Sequence, residues 1–257
     1  MNAQGISGLF DSYSRVARLY PALIAISPAI WTAIVLVPDI VSSLAAGAIA
    51  LATITAMIYF LSSVARSRGK ELENRLLKQW GGWPTTALLR HRDMTIDKIT
   101  KSRYHSALSR ICEGLRMPTD VEEKTSPEEA DIAYRTATKK LIEERRGRQY
   151  RILHEENASY GFRRNLLGLR SVAISVAILC AAITLLGWLT ALPENVSGRV
   201  LVESLLQHKN FISLLALDIT YLILMVFFVK IDFVHQAASE YAHALLKTLE
   251  PAANNQN

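Results

Sequence analysis

The chain has 257 residues, 50% of them hydrophobic and 20% charged, with a formal net charge of +6 and a sequence pI near 9.4. A soluble domain seldom combines a mean hydropathy of +0.17 with that many charges; the two are compatible where apolar and charged residues occupy different segments, and here they do. Two cysteines, Cys112 amid charge and Cys180 in an apolar run, exclude a disulfide framework and a cysteine zinc site.

Residues 1–18 form a short segment ending in Arg15 and Arg18. Residues 19–38 carry no charge, and neither do residues 40–65, so 19–65 reads as a transmembrane hairpin turning at Pro38-Asp39. As helices both runs cover a hydrocarbon core of roughly 30 Å at about 1.5 Å per residue. A second apolar run follows the first at once, so the first reads as a span and not as a cleaved leader. Pro21 and Pro28 interrupt it; Pro28 kinks a helix unless a neighbour satisfies the carbonyl it frees. In the second span, Ser43 with Gly47 and Ala46 with Ala50 make small-residue pairs that favour close helix packing.

Residues 66–170 hold 23 of the 29 basic residues against 15 acidic ones. This is the expected basic helical sensor domain. SRGKELENRLLKQW continues the second span, and Gly81-Gly82 and Pro84 stop it. Helices are expected through TALLRHRD, through DKITKSRYHSALSRICEGLR with Ile99, Leu108, Ile111 and Leu115 as its apolar face, and from the Ser126-Pro127 cap through AYRTATKKLIEERRG. Residues 171–229 form the second hairpin, with a loop at 193–210 and Asp218 inside the last span. The loop includes a short VLVESLL interfacial segment and a weak Asn-Val-Ser acceptor triplet. Residues 230–257 read as an amphipathic helix with Phe233, Ala237, Tyr241, Leu245 and Leu249 on one face, then a disordered PAANNQN tail. The fold class is therefore all-α membrane protein, two transmembrane hairpins flanking a helical cytosolic domain. Beyond 66–170, Arg15 and Arg18 lie on the same side, whereas Arg199 and Lys209 lie opposite. The positive-inside rule then puts both termini and the middle region in the cytoplasm.

Three clusters carry candidate chemistry. WGGWPTTALLRHRD supplies Trp80, Trp83, Arg90, His91 and Arg92; KSRYH supplies Lys101, Arg103, Tyr104 and His105; HEENASYGFRRN supplies Arg163 and Arg164. Aromatic faces alternating with arginine forks suit bases that stack and phosphates that need bidentate partners, and Gly-Gly between tryptophans suits close backbone approach to a ligand. Core packing of the tryptophans, solvated histidines, and anionic lipid on Arg163, Arg164 and Arg170 are the plain alternatives. There is no P-loop, His-Glu-x-x-His or nucleophile elbow, so no catalytic residue, metal or cofactor is assigned. A membrane-bound enzyme using His91, Asp93 or Glu155 remains the least favoured class. Asp218, with Thr220 and Tyr221, lines a pore or makes an interhelical bond to Tyr59, Thr184 or another helix. One four-helix chain encloses too little space for an ion path, so a channel requires a homo-oligomer such as a tetramer.

At WGGWPTTALLRHRD, KSRYH and HEENASYGFRRNLLGLR the chain resembles bacterial four-span membrane proteins of phage-defence islands, the Hailong-type membrane effectors among them. The resemblance covers roughly residues 70–170. It implies an oligomeric channel, opened by a nucleotide signal in the form of a short DNA oligomer, with a nucleotidyltransferase encoded nearby. The outcome implied is membrane depolarisation in abortive infection. A membrane scaffold that recruits a cytosolic partner through the basic domain is the alternative.

Overall fold

The computed structural model describes residues 12–38, 43–192 and 209–250. The described residues are 83% helix, with no strand among them. A Ser12–Ser14 turn and a π-helical turn Arg15–Leu19 lead into α1 (Tyr20–Leu36). Then come α2 (Leu44–Gln79), α3 (Pro84–Leu89), α4 (Lys98–Ile111), α5 (Asp120–Thr125), α6 (Pro127–Glu144), α7 (Arg151–Thr190), α8 (Lys209–Phe227) and α9 (Ile231–Lys247). Among the described residues four stretches, Ser12–Leu36, Leu44–Leu89, Arg151–Thr190 and Lys209–Phe227, are long and apolar enough to cross a membrane. This is the composition of a multi-pass membrane protein. Of the expected 193–210 loop, Lys209 and Asn210 already belong to α8; residues 193–208 with the interfacial segment, most of the Pro38-Asp39 turn, the first eleven residues and the PAANNQN tail lie outside the described residues.

The chain divides into two units, one of Met1–Leu72 with Gly161–Phe233, the other of Glu73–Tyr160 with Val234–Asn257. The boundaries fall inside α2 and α7, because both helices continue without a break from apolar to charged sequence. The C-terminal helix α9 belongs almost wholly to the second unit.

In the first unit the two prolines of the first span are each compensated by a distant side chain. Pro28 has no N–H to give the Ile24 carbonyl four residues back. That oxygen instead accepts from the Tyr221 hydroxyl of α8 at 2.8 Å and from Ser27 Oγ at 2.9 Å. Pro21 likewise gives nothing to the Ala17 carbonyl, which accepts from the Asn165 side-chain amide of α7 at 2.6 Å. Both ties draw α1 against the neighbouring helices, as expected where a freed backbone carbonyl has no water. Glycine sets the approach of α2 and α7. A Cβ on Gly168 would lie 2.9 Å from the Gly69 nitrogen, backbone against backbone. Ala65, Leu166, Leu169, Ala173 and Ala177 continue that contact as a core with Tyr221, Met225 and Val229.

The second unit is built on α6. Tyr134, Ala137 and Leu141 are fully buried along one face and pack on Leu89, Leu108 and Leu153, with Leu245 and Leu246 from α9. Asp97 caps α4 by accepting from the Thr100 N–H at 2.9 Å, and Thr119 with Glu122 makes a capping box on α5. Two expectations are corrected here. Ile99 is 77% exposed, its place on the buried face of α4 taken by Tyr104 and Ala107. Ser126 stands at the N-cap of α6 without a side-chain cap bond, leaving Pro127 as the start signal. On α9 the apolar stripe is wider than expected: Val234, Ala238, Ala242 and Leu246 are buried beside Ala237 and Leu245.

Candidate functional site

The Trp-Gly-Gly-Trp phrase is a helix stop. Gly81, at φ 68°, donates to the Lys78 carbonyl and Gly82 to the Leu77 carbonyl, the paired bonds of a Schellman motif that ends α2. The left-handed backbone explains the glycines, correcting the reading of Gly-Gly as an approach for a ligand. Trp80 sets its ring edge-on to His235 at 4.8 Å, while Trp83 is 39% exposed at the N-cap of α3.

Helix α3 ends at Leu89, so Arg90-His91-Arg92-Asp93 is a loop, pinned by the buried Glu123 and Lys101 and by the pair that Arg90 makes with Asp131. Arg90 forks onto Asp131 of α6, with Nε to Oδ1 at 2.8 Å and Nη2 to Oδ2 at 2.6 Å, and also donates to the Gly81 carbonyl at 2.7 Å. Glu123, 3% exposed, accepts from the His91 N–H at 2.6 Å, the Tyr134 hydroxyl at 2.8 Å and the Arg92 N–H at 3.3 Å. Lys101, also 3% exposed, donates to the Arg90 and Asp93 carbonyls. His105 bonds the Leu89 carbonyl at 2.8 Å, His91 bonds the Pro118 carbonyl at 2.9 Å, and the two rings meet edge to face at 4.9 Å.

The electrostatics follow from this burial. Desolvation alone pushes the Glu123 carboxyl up, but the His91, Tyr134 and Arg92 donors together hold it below the ordinary carboxylate range. Burial pushes the His105 ring down, and pushes Lys101 down against the pull of Asp93 and Glu123. The Arg90 guanidinium rises on its bond to Asp131. In this unit Arg90, His91, Lys101 and His105 thus spend their hydrogen bonds on shaping a loop, which leaves Arg92, 54% exposed, as the cation of that stretch facing solvent.

The arginines at the start of the third span are engaged inside the first unit. Arg163 donates to the Phe233 carbonyl at 3.2 Å and lies over its ring at 4.6 Å. Arg164 is 8% exposed beside Asn165. Arg170 donates to the Met225 and Val226 carbonyls at 2.9 and 3.0 Å, capping the C-terminus of α8. All three arginines are thus engaged within the unit.

KSRYH divides between core and surface. Tyr104 is 8% exposed, whereas Arg103 faces outward over a groove of about 230 Å³ between α4 and the residues that follow α9. Arg103 Nη2 lies 3.2 Å from Glu250 Oε1 there.

In the apolar part of the first unit, Asp218 is fully buried and its Oδ1 accepts from Trp31 Nε1 at 3.0 Å. Of the three expected alternatives it is another helix, α1, that holds it; Tyr59 is 56% exposed and Thr184 Oγ1 has no hydrogen bond among the described residues. Asp218 and Tyr221 share the inner face of α8 with Leu214 and Met225, but Thr220 points outward and donates back to the Ala216 carbonyl. The three do not form one polar face.

Glu123, Asp131, Tyr134 and Trp31 organise these sites and carry no local sequence signal. Their partners lie 11 to 187 residues away in the chain. Comparison with protein-family models, with curated proteins and with solved structures found no match.

Proposed function

We propose that this chain is the homo-oligomeric, tetramer-forming membrane effector that its sequence resembles. The charged second unit lies in the cytosol of a bacterial inner membrane, with both termini on that side, and binds a nucleotide-derived signal made by a neighbouring nucleotidyltransferase. Binding opens an ion path and depolarises the membrane during phage infection. The observation that carries this reading is the continuity of α2 and α7: each is one helix from an apolar span into the charged unit, so a rearrangement of that unit pulls on two spans at once. The charge distribution supports the sidedness, and the Trp31–Asp218 tie supplies a polar contact inside the spans that a helix shift can break.

The test is ion flux from liposomes holding the purified protein. A short 5′-phosphorylated oligonucleotide evokes flux on this reading; no flux, with no oligonucleotide binding, removes it. A scaffold is favoured by the exposed apolar side chains Met94, Ile99 and Val121 on the second unit. It predicts that Ile99→Asp abolishes capture of a cytosolic protein while permeability never responds to nucleotide.

A further inference from the structure

We infer that the groove between α4 and Glu250 is a phosphate-binding site held shut by the Glu250 carboxylate. This gives the sensor reading an address and rests on that reading for its physiological ligand.

Ser102, Ser106 and Arg110 lie at four-residue spacing on α4, so they share one face, and Arg103 stands beside them. Arg103 Nη2 donates to Thr100 Oγ1 at 3.0 Å, and the same nitrogen faces Glu250 Oε1 in the groove. Arg110 has no hydrogen bond or ion pair among the described residues that could neutralise it, and it is exposed. Two guanidinium groups and two hydroxyls against one carboxylate leave a positive balance, the donor set that oxygen-rich anions require. Glu250 sits where such an anion's oxygen belongs, 3.2 Å from Arg103.

That internal contact is weak. The Arg103 and Glu250 side chains are 60% and 31% exposed, so water and salt screen the pair. A phosphate monoester with roughly two charges and three acceptor oxygens competes well against it. The volume also limits the occupant. About 230 Å³ is below the roughly 300–1,000 Å³ of pockets that engulf a whole small molecule, so the groove takes a phosphate group and leaves its sugar and base outside. Tyr104 lines the same groove; burial, and after it Glu250, hold its phenol above the ordinary value, so it stays a hydroxyl donor at neutral pH.

The experiment is calorimetric titration of the full chain in detergent with inorganic phosphate and with a 5′-phosphorylated tetranucleotide. Glu250→Gln is expected to tighten both about tenfold, and Arg103→Gln and Arg110→Gln each to weaken both about tenfold, the worth of one charge-assisted bond. All three side chains are on the surface, and matched thermal melts confirm folding. Unchanged affinity in Glu250→Gln, or in the arginine variants, overturns the site. So does a groove that ignores soluble phosphate and is occupied only by phosphatidylglycerol added to the micelles. Normal binding without oligonucleotide-evoked liposome flux upholds the site and removes the channel reading. Flux retained in Arg103→Gln/Arg110→Gln removes the site and leaves that reading standing.

Discussion

Replacing Glu123 by alanine leaves the His91 and Arg92 amides and the Tyr134 hydroxyl without their acceptor in a place water does not reach. The expected loss is about 3 kcal/mol, and a clearly smaller one is expected for Glu122→Ala, which removes the exposed capping box of α5 and its pair with Arg116. Thermal melts of the detergent-solubilised chain followed by tryptophan fluorescence measure both. The same knot sets an acid response. His105 has a ring pushed below its ordinary value near 6.5, so the unfolded chain takes the proton more readily. Its contribution is flat above pH 6.5, and stability falls as pH drops below it. Glu123 is depressed below its ordinary 4.5, so its contribution is complete above that pH and is lost as pH falls through the lower folded value. Two acid steps are expected in a melt series from pH 8 to 3. His105→Gln, which keeps a donor for the Leu89 carbonyl, should erase the upper step and leave the lower.

At the scale of elements, the crossing of α2 and α7 leaves no space for a side chain. Gly168→Ala places a methyl 2.9 Å from a backbone nitrogen, which has no rotamer to escape into, so the helices must separate. A loss of about 1–3 kcal/mol is expected, read as a lowered melting temperature. The bond from Trp31 to Asp218 is tested by a double-mutant cycle with Trp31→Phe and Asp218→Asn. A coupling of about 0.6–2 kcal/mol is expected for a hydrogen bond between spans. The spans themselves were legible because a helix of given length needs that many uncharged residues to cross hydrocarbon, a requirement local in sequence. The need to satisfy the carbonyl freed by Pro28 was legible for the same reason. Its donor was not, since Tyr221 lies 197 residues from Ile24 and no spacing rule reaches that far. Gly81-Gly82 was legible as a helix stop, and that local meaning is the one the backbone carries. The Arg-His-Arg-Asp loop looked like a ligand surface because Asp131 and Glu123, which absorb its donors, come from α6 and α5.

For the whole molecule, the central claim is that occupancy of the charged unit changes what the spans let through. Mean hydropathy and charge segregation suggest that arrangement, and the unbroken α2 and α7 give it a covalent route. Dependence on phosphate chemistry follows from the Arg103–Arg110 groove, so the response should weaken steeply with salt as counterions compete for two exposed guanidinium groups. The most direct measurement is conductance across a voltage-clamped planar bilayer holding the purified protein, with 5′-phosphorylated oligonucleotide added to one compartment and then the other. The account predicts that current rises on addition to the face carrying the charged unit and stays flat on addition to the opposite face. Oligonucleotide that binds the same preparation yet leaves current unchanged from both faces would contradict it.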